Sequence, residues 1–269
     1  MSQENFFANW KERSLFVEPG AKPISQRQLN LYYYFLFIKN ALTKCEVKKV
    51  LEVGAGRGTI SFYLVKYLGL KLTVLDNEPA AVALARENFA QLDLTAEFVV
   101  SDALVTGLPA NSFDAVVSIG LAEHFPATEV EKLFAEEYRL LRPGGMMISL
   151  NIPKKFSIQS LNTIMRFFKK IFGHYQDNIR RDYYRNNLRA KDFAQLARKV
   201  GFNQVQITYV CPFPIWVPIT PRTDRLITWL RKIHLWLRQQ FMSYPYKTNS
   251  LIAQAHFLVA YKSSTNADF

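Results

Sequence analysis

The chain has 269 residues, 49% of them hydrophobic, which suffices for one α/β domain with a modest cap. Its two cysteines, Cys45 and Cys211, lie far apart and belong to no metal-like cluster, so we expect neither a disulfide framework nor a metal site. The formal net charge of +12 at pH 7 indicates an anionic partner or substrate.

The N-terminal segment combines a polar start with an apolar stretch. The start, MSQENFFANWKERS, carries no signal-peptide pattern, and the apolar runs LYYYFLFI and CPFPIWVPI are too short to span a bilayer. We therefore expect a cytoplasmic protein.

A glycine-rich turn follows the first predicted strand. The apolar run KKVLEVG leads into Gly54, Gly56 and Gly58, and the helical pattern TISFYLVKYLG begins directly afterwards. Glycines let the backbone turn sharply and approach a ligand that a Cβ atom would keep away. The pattern predicts a nucleotide-like cofactor at the carboxyl end of the first strand of an open α/β sheet, with a purely structural tight turn as the alternative.

The spacing of these glycines bears on which cofactor binds. A dinucleotide fingerprint requires Gly-x-Gly-x-x-Gly, whereas here the third glycine, Gly58, comes one residue early and Thr59 occupies the expected place. This spacing disfavours an NAD-dependent oxidoreductase, which stays an alternative function.

Three further strands end in polar or glycine residues. KLTVLDNEP ends at Asp76, whose carboxylate could accept both ribose hydroxyls of an adenosine or cap the next helix. AEFVVSDA ends at Asp102, and FDAVVSIG ends at Gly120. After the helix TEVEKLFAEEYRLL, the segment RPGGMMISLNIP predicts a turn and a fifth strand.

These landmarks, in this order over about residues 47–153, resemble the class I S-adenosylmethionine-dependent methyltransferases. The Gly-x-Gly-x-Gly loop preceded by Glu52 resembles motif I of that family, and LLRPGG resembles its late motif. The best match is methyltransferase type 11, the group that includes the ubiquinone/menaquinone C-methyltransferases. The resemblance implies S-adenosylmethionine and methyl transfer by in-line displacement, but not the acceptor or whether oxygen, nitrogen or carbon is methylated.

The resemblance also implies roles for individual positions. The loop backbone would contact the methionine part and carbonyls near Gly120 its ammonium, while Asp76 would hold the ribose and Asp102 would frame the adenine. An N-terminal helix, which the resemblance places at QRQLNLYYYFLFIKNAL, would close the site, with Tyr33 or Tyr34 reaching the cofactor or packing on the sheet edge. The expected cofactor-binding residues are Glu52, Gly54, Ala55, Gly56, Asp76, Asn77, Asp102, Ala103 and Gly120.

His124, just beyond the fourth strand, is the candidate catalytic base. An imidazole titrates near neutral pH and can accept a proton from a hydroxyl or a carbon acid. In related proteins a histidine here is either such a base or part of the pocket wall, and both readings stay open. Glu123 beside it is interpreted as a charge at a helix start.

The second half of the chain completes the predicted sheet. RAKDFAQLARKVGF indicates a helix that stops at Gly201, NQVQITYV a sixth strand and AQAHFLVAYK a seventh. We therefore expect a Rossmann-like α/β fold with a seven-stranded sheet whose last strand is antiparallel. The expected divisions are an N-terminal segment 1–45, a core 46–151, cap insertions 152–189 and 211–250, a core helix and strand 190–210, a last strand 251–263 and a tail 264–269.

The two insertions carry basic amphipathic patterns. In the first, one predicted face contains Leu161, Ile164, Met165, Phe168 and Phe172. In the second, the face contains Leu226, Trp229, Leu230, Ile233, Trp236 and Leu237. Such helices either lie on an anionic membrane surface, making the protein peripheral, or pack on the sheet as a closed cap.

The charge is concentrated in the same half of the chain. Residues 1–150 contain 15 Lys and Arg against 17 Asp and Glu, whereas residues 151–269 contain 19 against 5. The run Arg180, Arg181, Arg185, Arg189 and Lys191 makes a nucleic-acid methyltransferase an alternative, although no RNA-binding module is recognised. We expect a methyltransferase acting on a small, bulky apolar, aromatic or lipid-like acceptor. A non-catalytic S-adenosylmethionine-binding module is the remaining alternative.

Overall fold

The computed structural model describes residues 25–152, 184–210, 221–237 and 253–264, together with the isolated residues 164, 167, 171 and 250. Its strands are β1 (Lys49–Val53), β2 (Lys71–Asp76), β3 (Glu97–Val100), β4 (Phe113–Ile119), β5 (Leu141–Asn151), β6 (Asn203–Val210) and β7 (Ala255–Tyr261). Its α-helices are α1 (Gln26–Leu42), α2 (Thr59–Leu68), α3 (Pro79–Ala90), α4 (Ala127–Leu140), α5 (Ala190–Val200) and α6 (Pro221–Leu237).

The seven strands form one sheet in the order β3-β2-β1-β4-β5-β7-β6. The first five strands are parallel, and β7 runs antiparallel to both β5 and β6. The predicted α/β fold with an antiparallel last strand is therefore confirmed. Because the strand order reverses between β1 and β4, a crevice is expected at their carboxyl ends.

Two hydrophobic layers enclose the sheet. On one face α1, α2 and α3 pack with side chains such as Ile38, Phe62 and Phe89. On the other face α4 and α5 pack with side chains such as Phe134 and Phe193. The parallel strands are accordingly apolar on both faces, as the near-continuous apolar runs of β1 and β4 predict.

The helix boundaries follow from local chemistry. Pro79 begins α3, where its missing N–H costs nothing, and the Glu78 side chain accepts a hydrogen bond from the Ala80 amide. Helices α2 and α5 end at Gly69 and Gly201, which adopt φ of 63° and 115°. These stops are the ones that the sequence indicates.

The predicted N-terminal helix forms α1 and packs on the sheet. The Phe37 ring stacks on Phe257 of β7 at 3.8 Å, and the Tyr34 ring meets the same side chain edge-on at 5.9 Å. Phe35 stacks on Tyr63 of α2 at 5.1 Å. Tyr34 is thus part of the core, as one of the two readings of this helix expects.

Two predicted features differ or lie outside the described residues. Strand β5 begins at Leu141, because Leu141 already pairs with Phe113 and the Arg-Pro-Gly-Gly turn is absorbed as an irregularity of that ladder. The proposed cap segments, 152–189 and 211–250, fall mostly on residues that are not described. Among the described helices, none is both long enough and apolar enough to cross a membrane.

Candidate functional site

The glycine loop after β1 has a backbone that only glycine adopts readily. Gly54, Gly56 and Gly58 have φ of 67°, 55° and 71°. A Cβ atom added at Gly54 would lie 2.8 Å from Cδ1 of Leu121 in the loop after β4. A side chain at Gly54 would therefore collide with Leu121, and the positive-φ backbone of the loop is the tight glycine turn that the motif implies.

Glu52 acts inside the protein, beneath this loop. Its side chain is 3% exposed, and Oε2 accepts hydrogen bonds from the amide of Ser61 at 2.8 Å and from the Ser61 hydroxyl. Burial raises the pKa of Glu52 to about 7, although the hydrogen bonds from Ser61 act in the opposite direction. Glu52 thus fixes the start of α2 against β1, which shapes the loop from below.

Asp76 joins the loop to the end of β2. Its Oδ2 accepts a 2.7 Å hydrogen bond from the Gly56 amide, and its Oδ1 accepts one of 3.0 Å from the Glu78 amide. The carboxylate is half-buried, and Asn77 beside it is exposed. Both readings of Asp76 therefore have support, because it organises the start of α3 and still faces the carboxyl edge of the sheet.

Asp102 and Ala103 lie one strand further along the same edge. The Ser101 amide donates to the Asp76 carbonyl at 3.1 Å, which places this turn next to the end of β2. Oδ1 of Asp102 accepts a 2.9 Å hydrogen bond from the Leu104 amide, and the Asp102 side chain is exposed. Ala103 is 7% exposed and packs beneath the turn. Asp102 is thus held in a fixed turn with its carboxylate at the surface.

Gly120 ends β4 on the other side of the crevice. It has φ of 70°, and its amide donates to the Leu150 carbonyl at 2.9 Å. Because β1 and β4 are neighbours in the sheet, Gly54 and Gly120 follow adjacent strands. Apart from Glu52 and Ala103, which are buried, the predicted cofactor residues therefore follow the carboxyl ends of β1, β2, β3 and β4, around the point where the strand order reverses.

A 3₁₀ turn, Ala122–His124, leaves this edge and carries the candidate base. The imidazole Nδ1 of His124 lies 2.9 Å from the carbonyl oxygen of Tyr184. Because a carbonyl oxygen only accepts hydrogen bonds, Nδ1 carries the proton, and in the neutral ring the lone pair is on Nε2.

Asn186 holds this turn in place. Its side-chain Nδ2 donates to the carbonyls of Ala122 at 3.0 Å and Phe125 at 2.8 Å. Its amide donates to the Glu123 carbonyl at 2.8 Å, and the residue is 5% exposed. Sequence reasoning missed Asn186, since no local pattern links it to a turn more than sixty residues earlier.

Glu123 lies in the first turn of this 3₁₀ helix, as interpreted from the sequence, but it is buried. The residue is 1% exposed, because the segment that contains Asn186 covers the turn. Burial raises the pKa of Glu123 to about 7, against the opposing effects of backbone amides and of Arg185. A carboxyl group thus lies buried directly beside His124 and Gly120.

Residues 50–145 match the family model of the methyltransferase domain. The chain is 30% identical over 177 residues to the ubiquinone/menaquinone biosynthesis C-methyltransferase of Sinorhizobium fredii, covering 60% of this chain and 66% of that protein. It is 30% identical over 164 residues to phosphoethanolamine N-methyltransferase 2 of Caenorhabditis elegans, covering 61% and 34% respectively. The solved structure of Haemonchus contortus phosphoethanolamine N-methyltransferase 2 with S-adenosyl-L-methionine superposes with a TM-score of 0.58 at 20% identity, covering 97% of this chain and 57% of that one.

Residues 50–145 thus form a methyltransferase domain, and the chain is similar to the ubiquinone/menaquinone C-methyltransferases. This is the kind of domain that the glycine loop and its following strands predict, and S-adenosyl-L-methionine is the molecule bound in the solved Haemonchus contortus structure. The chain spans about a third of the C. elegans relative and just under two thirds of the S. fredii one. These relatives give no support to a nucleic-acid methyltransferase or an NAD-dependent oxidoreductase. Within the described parts of the chain, no three His, Cys, Asp or Glu residues are grouped so as to hold a metal ion.

Proposed function

We propose that the protein transfers the methyl group of S-adenosylmethionine to a small acceptor of bulky apolar, aromatic or lipid-like character, with His124 as the base. The observation that carries this proposal is the hydrogen bond from His124 Nδ1 to the Tyr184 carbonyl. It leaves the lone pair of the neutral ring on Nε2, the nitrogen that would take a proton.

The residues at the edge of the sheet fit the cofactor. Gly54 and Gly56 give the loop its positive-φ turn, with the Leu121 side chain packed against Gly54. The Asp76 carboxylate is already held in place by the Gly56 amide, so it can accept ribose hydroxyls without rearranging. S-adenosylmethionine supplies a methyl group on a positively charged sulfur, which is already activated for displacement. Much of the acceleration then comes from aligning the acceptor with that methyl group.

His124 would act only on acceptors that must lose a proton. Its Nε2 would take the proton of a hydroxyl or an acidic carbon, while the electron pair left on the acceptor forms the bond to the methyl carbon. The bond between that carbon and the sulfonium sulfur would break, and the sulfur would leave with the electron pair as a neutral thioether. The hydrogen bonds that Asn186 makes to Ala122 and Phe125 keep the imidazole at the edge of the crevice. The base and its support thus come from different parts of the chain.

The acceptor class rests on two observations. The relatives named above are a C-methyltransferase of ubiquinone/menaquinone biosynthesis and a phosphoethanolamine N-methyltransferase, whose names both point to small molecules. The sequence of the segment 152–189 is rich in aromatic residues, such as Phe167, Phe168 and Phe172, which favours a bulky apolar acceptor.

Two experiments test this proposal. Isothermal titration with S-adenosylmethionine and with NAD should give binding of the first only. Methyl transfer from labelled S-adenosylmethionine should then be measured with a prenylated hydroquinone and with phosphoethanolamine as acceptors. We expect label in the hydroquinone. Binding of NAD instead would refute the methyltransferase function, whereas transfer to phosphoethanolamine alone would refute the apolar acceptor.

A further inference from the structure

Helix α6 contacts α1 through polar side chains. Asp224 Oδ1 accepts a 2.8 Å hydrogen bond from Nε2 of Gln26, at the start of α1. Two turns later, Arg231 Nη2 donates to Oδ1 of Asn30 at 2.8 Å. Between them Thr228 is 1% exposed, and its hydroxyl donates to the Asp224 carbonyl at 2.7 Å. The stripe that faces α1 is therefore Asp224, Thr228 and Arg231, at i, i+4 and i+7.

The opposite side of α6 is apolar and exposed. Leu226, Trp229 and Leu230 are 54%, 56% and 51% exposed. At 3.6 residues per turn these positions project away from the polar stripe, and the exposed Arg222 lies among them while the exposed Arg225 lies at their edge. We call these five residues the outer face of α6.

This arrangement is the reverse of that found in a helix on the surface of a water-soluble protein. Such a helix buries its apolar face and exposes its polar one. One of the two sequence interpretations, in which the apolar face of this insertion packs on the sheet, is wrong for Leu226, Trp229 and Leu230. A cluster of exposed large apolar side chains rimmed by charge marks an interaction surface.

We propose that the outer face of α6 docks on an anionic lipid surface. Its composition is that of an interfacial helix, with tryptophan and leucine to enter the boundary of the acyl chains and arginines to meet lipid phosphates. The charge of the surrounding chain is complementary to such a surface, because residues 151–269 carry 19 Lys and Arg against 5 Asp and Glu.

A second basic segment with exposed apolar side chains supports a lipid partner over a protein partner. Ile164, Phe167 and Ile171, at i, i+3 and i+7, are also more than half exposed. In the sequence they alternate with Arg166 and with Lys169 and Lys170. Two basic segments with exposed apolar stripes are expected of a protein that lies on a membrane, where each stripe contributes separately to binding.

The docking is independent of which acceptor is methylated, and vesicle binding measures it without any turnover. The full-length protein is sedimented at physiological salt with vesicles of phosphatidylcholine alone and of equal parts phosphatidylcholine and phosphatidylglycerol. We expect binding to the anionic vesicles. Leu226→Ser and Trp229→Ser should each lower the partition coefficient about tenfold, because each removes a large side chain from the bilayer boundary. Arg222→Gln should lower it about fivefold on anionic vesicles.

Leu92→Ser is the matched control. Leu92 is 40% exposed in the turn after α3, at the opposite edge of the sheet, and its substitution should leave the partition coefficient unchanged. Trp229→Phe provides a second test, because it keeps the apolar surface and should retain vesicle binding. It should also reduce the quenching of tryptophan fluorescence by brominated lipids.

Three results would overturn the proposal. The first is binding that is absent, or that Leu226→Ser and Trp229→Ser leave unchanged. The second is a concentration-dependent dimer in sedimentation velocity that either variant dissolves, because a second copy of the chain would then cover the face. The third is a lowered melting temperature in both variants without vesicle binding, which would mean that another segment of the same chain covers it.

Discussion

The amide of Gly56 donates a 2.7 Å hydrogen bond to Oδ2 of Asp76, which joins the loop after β1 to the end of β2. Oδ1 of the same carboxylate accepts from the Glu78 amide at 3.0 Å. Because an ionised carboxylate offers about four acceptor positions, these two bonds leave capacity for ribose hydroxyls. The Asp76 carboxylate is therefore held in a fixed position, as the proposed ribose-binding role requires.

Asp76→Asn is expected to weaken S-adenosylmethionine binding strongly, although asparagine and aspartate are nearly the same size. The asparagine keeps one acceptor oxygen, but its NH₂ group cannot accept from the amide of Gly56 or Glu78. Losing a charge-assisted hydrogen bond and a ribose acceptor should raise the dissociation constant by about 10- to 100-fold. Isothermal titration calorimetry measures the change directly.

Asp114→Asn is the matched control for this substitution. Asp114 accepts from the amides of Lys48 and Lys49 at 2.7 and 2.8 Å, at the start of β1 and so at the other edge of the sheet. Its substitution should lower the melting temperature but leave cofactor affinity unchanged. Equal losses of affinity in the two variants would contradict the role given to Asp76.

Gly54→Ala is expected to damage both folding and binding. The substitution imposes a φ of +67° on a residue with a side chain and puts the new Cβ atom 2.8 Å from Leu121 Cδ1. Gly69→Ala is the matched control, because Gly69 has φ of +63° and no atom within 4 Å of the new Cβ atom. The control should lose only the backbone term, about 1–2 kcal/mol of unfolding free energy.

The difference between these two variants isolates the contact with Leu121. Gly54→Ala should lose more stability than Gly69→Ala in urea unfolding, and only Gly54→Ala should weaken S-adenosylmethionine binding. Adding Leu121→Ala to Gly54→Ala should recover part of the loss, because the two sites are in contact and their effects are not additive. If Gly54→Ala lost no more stability or cofactor affinity than Gly69→Ala, the contact between position 54 and Leu121 would have no effect on either property.

The core of the fold was predictable because its signals are local. Gly201 ends α5 where the sequence pattern indicates, and the stretch that the family resemblance implies as a helix, QRQLNLYYYFLFIKNAL, has the bounds of α1. The glycine spacing after β1, with the acidic residue at the end of β2, also lies within one βαβ unit. Such signals need no knowledge of distant contacts.

The surroundings of the base and the orientation of α6 were not predictable in this way. Glu123 is buried because Asn186, far along the chain, packs over its turn. The amphipathic pattern of α6 shows that the helix has two faces, but not which one faces inward. That choice depends on Gln26 and Asn30, which supply polar partners about two hundred positions earlier.

Asn186→Asp is expected to lower turnover without changing cofactor affinity. The carboxylate keeps the size of the side chain but cannot donate to the carbonyls of Ala122 and Phe125. Two poorly solvated carbonyls then lose their partner, at about 1–3 kcal/mol, and the turn that carries His124 is released. Steady-state kinetics should show a reduced kcat with an unchanged dissociation constant for S-adenosylmethionine.

Two further variants serve as comparisons for Asn186→Asp. Asn187→Asp, at the exposed neighbouring position, should leave kcat unchanged. His124→Ala should lower kcat by about 10²- to 10⁴-fold if its Nε2 is the base, and Asn186→Asp should then add little to it. Unchanged turnover in His124→Ala would remove His124 from the chemistry and leave it as a wall of the pocket.

Glu137 makes the stability of the protein depend on pH. Its carboxyl group is 1% exposed on α4, and neither oxygen has a hydrogen-bond partner of ordinary geometry within the described residues. Burial raises its pKa to about 8, and the nearby Ser118 hydroxyl opposes this only weakly. Between the ordinary pKa of 4.5 and about 8, the folded state therefore holds a proton that the unfolded state has released. The contribution of this group to stability consequently falls as pH rises through that range.

Glu137→Gln should remove this dependence. The neutral amide matches the protonated carboxyl, so the variant and the native protein should differ little near pH 5. Near pH 9 the variant should be more stable by about 3 kcal/mol in urea unfolding, because it has no buried carboxyl to ionise. Glu52 and Glu123, whose pKa values are also raised to about 7, produce the same slope in both proteins.

Glu131→Gln, which removes a surface ion pair with Lys199 at 2.8 Å, is the control and should cost less than about 1 kcal/mol at either pH. Parallel stability curves for Glu137→Gln and the native protein would show that Glu137 is ionised in the folded state.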